Sequence, residues 1–267
     1  MTATPLLDAL RSASVVDLGQ PFHAAMPQPA GAPRFTLSLW RRHGDVLRGD
    51  GYSAAIDLLT TTCHAGTHID AIGHISVDGR LHGDRSAALA QTGAGGLREL
   101  GIETVAPIVR RGVLADVAAA LGVSALEPGF GISGDLLQAA LDRRGSRLEP
   151  GDVLLVRTGW GRFWNESDRY LSPEAGLPGV DADGATWIAE QGVSATGADC
   201  LMYECFDPRD NRLPVHSRLI RDAAIHLIEN MQLEGLSAVP AAEFGVVVLP
   251  LPLVGATGSQ VRPIALV

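Results

Sequence analysis

The sequence predicts a mixed α/β fold, because strand-like and helix-like segments alternate along its 267 residues without a long linker. Hydrophobic residues make up 46% of the chain, which is enough for a sizeable core. The 31 glycines and 16 prolines predict many turns between short elements. We therefore expect one domain over residues 1–267, with residues 1–13 as an N-terminal extension that is either flexible or helical.

Periodicity and capping residues predict the individual elements. Runs of apolar and β-branched residues predict strands at 14–18, 35–40, 54–60, 111–117, 152–157, 225–230 and 244–249. A first helix is predicted up to Arg144, with Ser133 as its N-cap and Gly145 after its end. Residues 183–191, followed by Gly192, predict a second helix, and residues 217–224 predict a shorter one.

Charge and hydropathy exclude several classes of partner. The net charge of −9 at pH 7 argues against a nucleic-acid or anionic-membrane surface. The longest apolar run, 246–254, is interrupted by Pro250 and Pro252 and is shorter than the roughly 20 residues that span a bilayer. The N-terminus shows no signal-peptide pattern. We therefore expect a cytoplasmic protein whose main partner is a small-molecule substrate.

The cysteines also indicate a cytoplasmic protein. Cys63, Cys200 and Cys205 are few and odd in number, and their spacing matches neither a zinc ribbon nor a CxxC redox motif. We expect buried, reduced thiols.

The most informative segment is 63–74, which reads CHAGTHIDAIGH and holds three of the eight histidines and one carboxylate. In an extended chain, alternate residues share a side, so His64, His68, Asp70 and His74 would point the same way. A helix would instead turn Asp70 about 240° away from His64. Two imidazoles and a carboxylate on one side make half of a site for a divalent metal ion.

The remaining ligands must come from elsewhere in the chain. His216 follows a polar loop, and Glu229 lies inside the apolar run 225–230. A buried glutamate is costly unless it is paired or bound to a metal, and Arg218 or Arg221 could also be its partner. If the run is a strand, Glu229 faces one side and His226 the other.

These residues resemble a known family. His-x-Gly-Thr-His-x-Asp-x-x-x-His is similar to the signature of the cyclase-like metal-dependent hydrolases, which include bacterial kynurenine formamidases and isatin hydrolases. The resemblance runs from about Asp17 to the end of the chain and includes segments 151–160, 213–216, 227–231 and 255–262. It implies a swivelling β/β/α fold and assembly as a homodimer or homotetramer.

The resemblance also implies roles for individual residues. The implied metal ligands are His64, His68, Asp70, His216 and Glu229. Asp70 would bridge two ions, and His74 resembles the catalytic histidine that relays protons. The implied cofactor is Zn²⁺ or Mn²⁺, with one or two ions per subunit. The chain departs from many members at Ile72 and Gln260, where those members have proline.

The function expected from this pattern is hydrolysis of a C–N bond in a small cyclic or N-acyl amide, similar to isatin or N-formylkynurenine, by metal-activated water. Three alternatives stay open: a lactone hydrolase or cyclase of the same family, a non-haem Fe(II) oxygenase that uses His68, Asp70 and His216, and a binding protein without catalysis. The sequence has no Gly-x-Ser-x-Gly motif, so nothing supports a serine hydrolase. Trp160 and Trp164 could line a pocket or belong to the core.

Overall fold

The computed structural model describes residues 3–210 and 212–267. The strands are β1 (Val15–Asp17), β2 (Thr36–Arg41), β3 (Ile56–Thr60), β4 (His68–Asp70), β5 (Arg80–Leu81), β6 (Arg85–Ser86), β7 (Gln91–Thr92), β8 (Gly96–Leu97), β9 (Ile108–Asp116), β10 (Gly131–Ile132), β11 (Val153–Arg157), β12 (Gly179–Val180), β13 (Ala195–Ala198), β14 (His226–Glu229), β15 (Glu243–Val248), β16 (Gly258–Gln260) and β17 (Ile264–Leu266). The α-helices are α1 (Ala3–Ser12), α2 (Ala87–Ala90), α3 (Val117–Ala120), α4 (Gly134–Arg144), α5 (Ser167–Leu171), α6 (Ala182–Gln191), α7 (Pro214–His216) and α8 (Glu234–Ser237). Single turns of 3₁₀-helix lie at Ile72–His74, His82–Asp84, Ile102–Thr104 and Trp160–Phe163, and a π-helical turn lies at Ser217–Asp222.

Nine strands form one mixed sheet, in the order β1-β17-β15-β9-β11-β13-β14-β4-β16. Its centre is parallel, since β9, β11, β13 and β14 run in the same direction. Antiparallel strands complete both ends of the sheet. The mixed α/β fold predicted from the sequence is confirmed.

The central strands are buried on both faces. Along β11, Leu154 and Val156 belong to one hydrophobic cluster, whereas Val153 and Leu155 belong to a second cluster across the sheet. This alternation follows from the two-residue period of a strand, and a continuous apolar run is typical of a strand that is covered on both sides.

Two helices predicted from the sequence cover the first of these faces. The Ser133 hydroxyl accepts a hydrogen bond from the Leu136 N–H at the start of α4, and Gly145 ends that helix with φ +67°. α6 ends in the same way at Gly192, with φ +68°. Its N-cap is Asp181, so the helix begins earlier than the sequence pattern predicted.

The strands β2 and β3 form a separate antiparallel hairpin that is exposed on both faces. The sequence predicts both strands, but among the described residues they pair with each other and not with the large sheet. Nine large apolar side chains of this hairpin and its loop are exposed: Leu37, Leu39, Trp40, Val46, Leu47, Tyr52, Ile56, Leu58 and Leu59.

Other differences from the sequence predictions are local. The N-terminal extension is helical over Ala3–Ser12, whereas residues 1–2 lie outside the described part. The short helix predicted at 217–224 is a π-helical turn that continues α7. No described helix has the length and apolarity needed to cross a bilayer.

Candidate metal centre

Two neighbouring strands carry three of the site residues. β4 pairs with β14 so that His68 lies opposite Glu229. Ile69 and Ile228, one position away, point to the second hydrophobic cluster on the opposite face. The side chains of His68, Asp70 and Glu229 therefore meet on the face that the helices cover, as the strand period predicted.

His64 reaches the same place by a turn and not by an extended strand. Gly66 has φ +60°, a conformation that favours glycine, and a Cβ there would collide with the ring of Phe22. The motif is therefore a strand only over His68–Asp70, and a turn carries His64. The turn still directs Nδ1 of His64 to within 2.8 Å of Asp70 Oδ1.

His216 is presented from the other side of the site by α7. Pro214 occupies the first turn of that helix, where its missing N–H leaves no hydrogen bond unsatisfied. The carboxylate of Glu204 accepts hydrogen bonds from His216 Nδ1 and from the N–H groups of Val215 and His216. This acid fixes both the helix start and the direction of the imidazole.

The structure brings all five predicted ligands into one cluster. His68 Nε2 lies 3.4 Å from Glu229 Oε2 and 3.6 Å from Asp70 Oδ1. His216 Nε2 lies 3.2 Å from Glu229 Oε1 and 4.0 Å from Asp70 Oδ2. Two groups of three residues, His64–Asp70–His74 and His68–Asp70–Glu229, each have potential ligand atoms within 4.8 Å of one another, and both groups contain Asp70.

The surroundings of Asp70 show that this cluster fits a cation. Its side chain is 1% exposed, yet neither carboxylate oxygen accepts a hydrogen bond from any residue that the structure describes. The nearby His64 Nδ1 approaches closely but outside hydrogen-bond geometry. A buried carboxylate without hydrogen bonds is costly unless a cation compensates it. Imidazole nitrogens and carboxylate oxygens together suit a divalent ion such as zinc or manganese.

Burial and the neighbouring charged groups shift the pKa values of His68, His216 and Glu229. Burial lowers the pKa of His68, but the hydrogen bond to Glu229 and the charge of Asp70 outweigh burial and the net pKa is raised. Burial also lowers the pKa of His216, whereas hydrogen bonds to Glu204 and Glu229 raise it to about 10. Burial raises the pKa of Glu229, but His216 and His68 bring it well below its usual range. The carboxylates are thus ionised and attract positive charge into the cluster.

Hydrogen bonds behind the ligands set which ring nitrogen faces the centre. His68 Nδ1 donates to the Gly66 carbonyl at 2.8 Å, so Nε2 is the nitrogen that faces the two carboxylates and would offer its lone pair to a metal ion that replaces the proton. His216 is arranged in the same way by Glu204. His64 Nε2 lies 2.8 Å from Thr257 Oγ1, which leaves Nδ1 for the centre.

His74 lies beside this cluster at the end of a 3₁₀ turn. Its ring stacks on that of His64, with 4.2 Å between the centroids and 28° between the planes. Burial lowers the pKa of His74 to about 4, although the charge of Asp70 opposes this. The imidazole is therefore neutral at pH 7 and can accept a proton.

The cluster opens into a cavity of about 900 Å³. Site residues His64, His68, His74, His216 and Glu229 lie in its wall. The rest of the lining is mostly apolar: Pro29, Ala30, Leu171, Pro173, Leu177, Leu201, Met202, Phe206, Pro208 and Leu213. Gln28, Arg34 and Asp168 add three further polar groups. A cavity of this size suits a small ligand with an apolar body.

Several alternatives from the sequence are decided by these contacts. Glu229 makes no ion pair with an arginine in the described part of the chain, and Arg221 pairs with Asp222 at 2.8 Å. Trp160 and Trp164 are 3% and 2% exposed and pack in the first hydrophobic cluster, and neither is in the wall of this cavity.

The cysteines are all unpaired, as predicted, but only Cys200 is buried, whereas Cys63 and Cys205 are half-buried. The His226 ring, as expected, stays out of the cluster, and its Nδ1 donates to the Asp70 carbonyl at 2.8 Å.

Sequence reasoning missed the residues behind the ligands. Glu204 lies inside the apolar segment 201–206, and its burial could have been inferred from those neighbours as it was for Glu229. Its partner His216, 12 positions away, could not be inferred in this way. Thr257 lies in the segment 255–262 that resembles the family, but its contact with His64 spans 193 positions and had no local signal.

Comparison with known protein families identifies the family of this chain. The family model described as "Putative cyclase" matches residues 16–204, which is more than half of the chain. The chain belongs to this cyclase family. The match contains the whole histidine motif and ends at Glu204.

Relatives of this cyclase-family chain include named hydrolases. A kynurenine formamidase from Sphingopyxis alaskensis is 27% identical over 248 residues, which cover 93% of this chain and 95% of the relative. An isatin hydrolase from Roseibium aggregatum is 26% identical over 149 residues, which cover 54% of this chain and 55% of the relative. The crystal structure of a novel cyclase superposes with a TM-score of 0.88 at 28% identity and covers 99% of this chain and 93% of its own.

The donor set of this cyclase-family site is larger than that of an iron oxygenase. The expected triad of His68, Asp70 and His216 is present, but His216 lies closer to Glu229 than to Asp70. His64 approaches the same Asp70. A facial triad uses three protein side chains, whereas this cluster brings two further potential donors, His64 and Glu229, to the same place.

Proposed function

We propose that this chain is a divalent-metal-dependent hydrolase that cleaves a C–N bond in a small cyclic or N-acyl amide. The observation that carries the proposal is Asp70, a buried carboxylate that accepts no hydrogen bond from the described residues. It lies at the centre of a cluster whose histidines and glutamate line a mostly apolar cavity. The named relatives support the reaction class, because a kynurenine formamidase and an isatin hydrolase both align with this chain.

The five ligands are proposed to hold Zn²⁺ or Mn²⁺, as one or two ions per subunit. Asp70 has His64 and His68 beside its Oδ1 and His216 beside its Oδ2, an arrangement in which two neighbouring ions could share this carboxylate. A bound divalent ion supplies Lewis-acid polarisation of a carbonyl and lowers the pKa of water to about 7. His64, His68 and His216 offer the nitrogens that their hydrogen-bond partners leave free.

His74 is proposed to move the proton in this reaction. Its neutral imidazole accepts a proton from the attacking water and returns it to the leaving nitrogen. Stacking on His64 fixes the plane of the His74 ring beside the ligands. Burial keeps the ring uncharged until it takes that proton, since it holds the pKa at about 4.

The apolar part of the cavity wall is proposed to bind the body of the substrate. Leu201, Met202 and Phe206 lie in the same wall as the ligands. An aromatic or cyclic amide would bury its ring against them and present its carbonyl to the cluster. Nucleic acid and membrane are not proposed as partners.

We also infer that the protein assembles with further copies of itself. The hairpin of β2 and β3 exposes nine large apolar side chains. Each of these residues has an accessible surface of roughly 150–200 Å², about half of which is exposed. Together they therefore present an apolar area on the order of the 800 Å² that each partner buries in a standard interface. We place the protein in the cytoplasm, because its three cysteines are unpaired.

The test combines metal content with turnover. The chain is freed of metal with a chelator, reloaded with Zn²⁺ or Mn²⁺, and measured for hydrolysis of formanilide, isatin and a small lactone. We expect activity to disappear with the metal and to return with it, with the amides preferred over the lactone. Full activity of the metal-free chain would overturn the proposal, and so would a fully loaded chain that hydrolyses none of these compounds.

A further inference from the structure

The ladder between β4 and β14 is short. In the described part of the chain it pairs Ile69 with Ile228 and His68 with Glu229. The second pair consists of two proposed metal ligands, and 3.4 Å separate His68 Nε2 from Glu229 Oε2. A ladder of two residue pairs provides few backbone hydrogen bonds to fix the register of its strands. Contacts at the ends of this ladder therefore matter for the spacing of the two ligands.

A side-chain hydrogen bond continues the ladder beyond His68 and Glu229. The antiparallel register places Thr67 opposite Asn230, the next residue on each strand. The Thr67 hydroxyl donates to the Asn230 carbonyl at 2.6 Å, so it takes the place of a backbone ladder bond. The same hydroxyl accepts a hydrogen bond from the Gln20 N–H at 2.8 Å, which directs its proton towards the carbonyl.

Asn230 is itself a fixed point of the structure. It is 2% exposed and has φ +56°, a left-handed conformation that asparagine adopts more readily than most residues. Its N–H donates to the Cys200 carbonyl at 3.0 Å, and its Oδ1 accepts a hydrogen bond from the Tyr170 hydroxyl at 2.8 Å. The backbone after β14 is therefore held by several partners, and Thr67 ties β4 to it.

The remaining contacts of β4 do not depend on this hydroxyl. His226 Nδ1 donates to the Asp70 carbonyl at 2.8 Å, at the other end of the ladder. β16 pairs with the opposite edge of β4. Loss of the Thr67 hydroxyl should therefore leave β4 in the sheet and loosen the end of the strand that carries His68.

We propose that Thr67 is a positioning residue of the metal centre, whose hydroxyl fixes the spacing of His68 and Glu229 through Asn230. Its side chain is fully buried and is not in the wall of the cavity, so it acts through the ligands and not on a substrate. This inference rests on the metal centre of the proposed function, but it concerns the spacing of the ligands and not the reaction. Residues that orient metal ligands typically contribute about 10- to 100-fold to metal affinity.

The experiment compares Thr67→Ala with Thr67→Ser, because both lose the methyl group and only serine keeps the hydroxyl. Co²⁺ is titrated into the metal-free proteins, since its visible absorption reports both affinity and coordination geometry. We expect Thr67→Ala to bind Co²⁺ about 10- to 100-fold more weakly than the wild type and with an altered spectrum. Thr67→Ser should resemble the wild type in both. If circular dichroism shows that Thr67→Ala does not fold, Thr67→Val removes the hydroxyl without leaving a cavity.

Thr158 provides the matched control. It is also fully buried, and its hydroxyl donates to Asp199 Oδ1 at 2.7 Å and accepts a hydrogen bond from the Trp160 N–H at 3.1 Å. Thr158→Ala loses the same kinds of hydrogen bond, but none of them involves a proposed metal ligand. It should lower the Tm of the metal-free protein and leave the affinity and spectrum of Co²⁺ unchanged. Equal weakening of Co²⁺ binding in Thr158→Ala and Thr67→Ala would overturn the inference, because general stability would then explain the effect.

Other outcomes are equally decisive. Wild-type affinity and spectrum in Thr67→Ala would overturn the inference. A serine variant as weak as the alanine variant would do the same, because side-chain volume and not the hydroxyl would then be responsible.

Co²⁺ binding requires no hydrolysis, so the two proposals can fail separately. If the wild type binds Co²⁺ but the zinc- and manganese-loaded protein hydrolyses none of the test compounds, the proposed reaction fails and the titrations still decide the role of Thr67. If hydrolysis is normal and Thr67→Ala binds Co²⁺ like the wild type, the positioning role fails alone. A wild type that binds no Co²⁺ would overturn both.

Discussion

His74 stacks on His64, with 4.2 Å between their ring centroids and 28° between their planes. One ring is a proposed ligand and the other the proposed proton carrier, so the contact joins the two functions of the site. His64 approaches Asp70 through Nδ1, whereas His74 has no such ion-pair contact in the described part of the chain. This difference motivates the first prediction.

His74→Ala should keep its bound metal and lose about 10²-fold or more in kcat, the usual contribution of a positioned acid–base group. Elemental analysis and steady-state kinetics on the same preparation give both quantities. A variant that loses its metal would show that His74 is a ligand and that its assigned role is wrong.

His68→Ala should remove metal and activity together, because its Nε2 lies 3.6 Å from an Asp70 oxygen and 3.4 Å from a Glu229 oxygen. The fold should remain, which circular dichroism would verify. His43→Ala, at an exposed position of the hairpin loop, should change neither quantity. Full metal occupancy in His68→Ala would contradict the assignment.

Glu229→Gln should lower the metal stoichiometry from two ions per subunit towards one, since a neutral amide is a weaker ligand than a carboxylate. The fold should tolerate the change, because the new Oε1 can still accept the hydrogen bond from the Tyr203 N–H. Titration with zinc or manganese measures both proteins. Saturation at one ion in the wild type, with no change in the variant, would refute the two-ion arrangement.

Glu204→Gln should weaken metal binding about 10- to 100-fold without removing a ligand, which is the usual effect of a residue that orients one. The carboxylate of Glu204 holds His216 Nδ1 and two backbone N–H groups at the start of α7. Competition with a metal-sensitive dye measures the affinity. Glu190→Gln, an exposed position on α6, is the control, and equal affinities in the two variants would exclude the orienting role.

Leu39→Glu should convert an oligomer into monomers, because it places a charge on the apolar hairpin where the interface is proposed. Light scattering coupled to size-exclusion chromatography measures the mass. Leu121→Glu introduces the same charge at an exposed position next to α3 and should leave the assembly intact. If the wild type itself is a monomer, the self-assembly proposal is wrong.

The sequence alone was sufficient for features that depend on neighbouring residues. The caps of α4, the buried run of β11 and the common face of His68 and Asp70 all follow from local propensity and the two- or 3.6-residue period. The inference that Glu229 needs a positive partner also came from its apolar neighbours, because burial of a charge is costly whatever the fold.

The tertiary structure decided what depends on residues far apart in the chain. The turn at Gly66, which brings His64 to Asp70, is possible because only glycine fits against Phe22. The choice of histidines over Arg221 as neighbours of Glu229 required β4 and β14 to lie side by side. The hydrogen bond from Thr67 to Asn230 spans 163 positions and depends on the same pairing of β4 with β14. Local patterns fix which groups can be buried, but only packing fixes which of them stay unpaired and so remain free to bind a metal or a substrate.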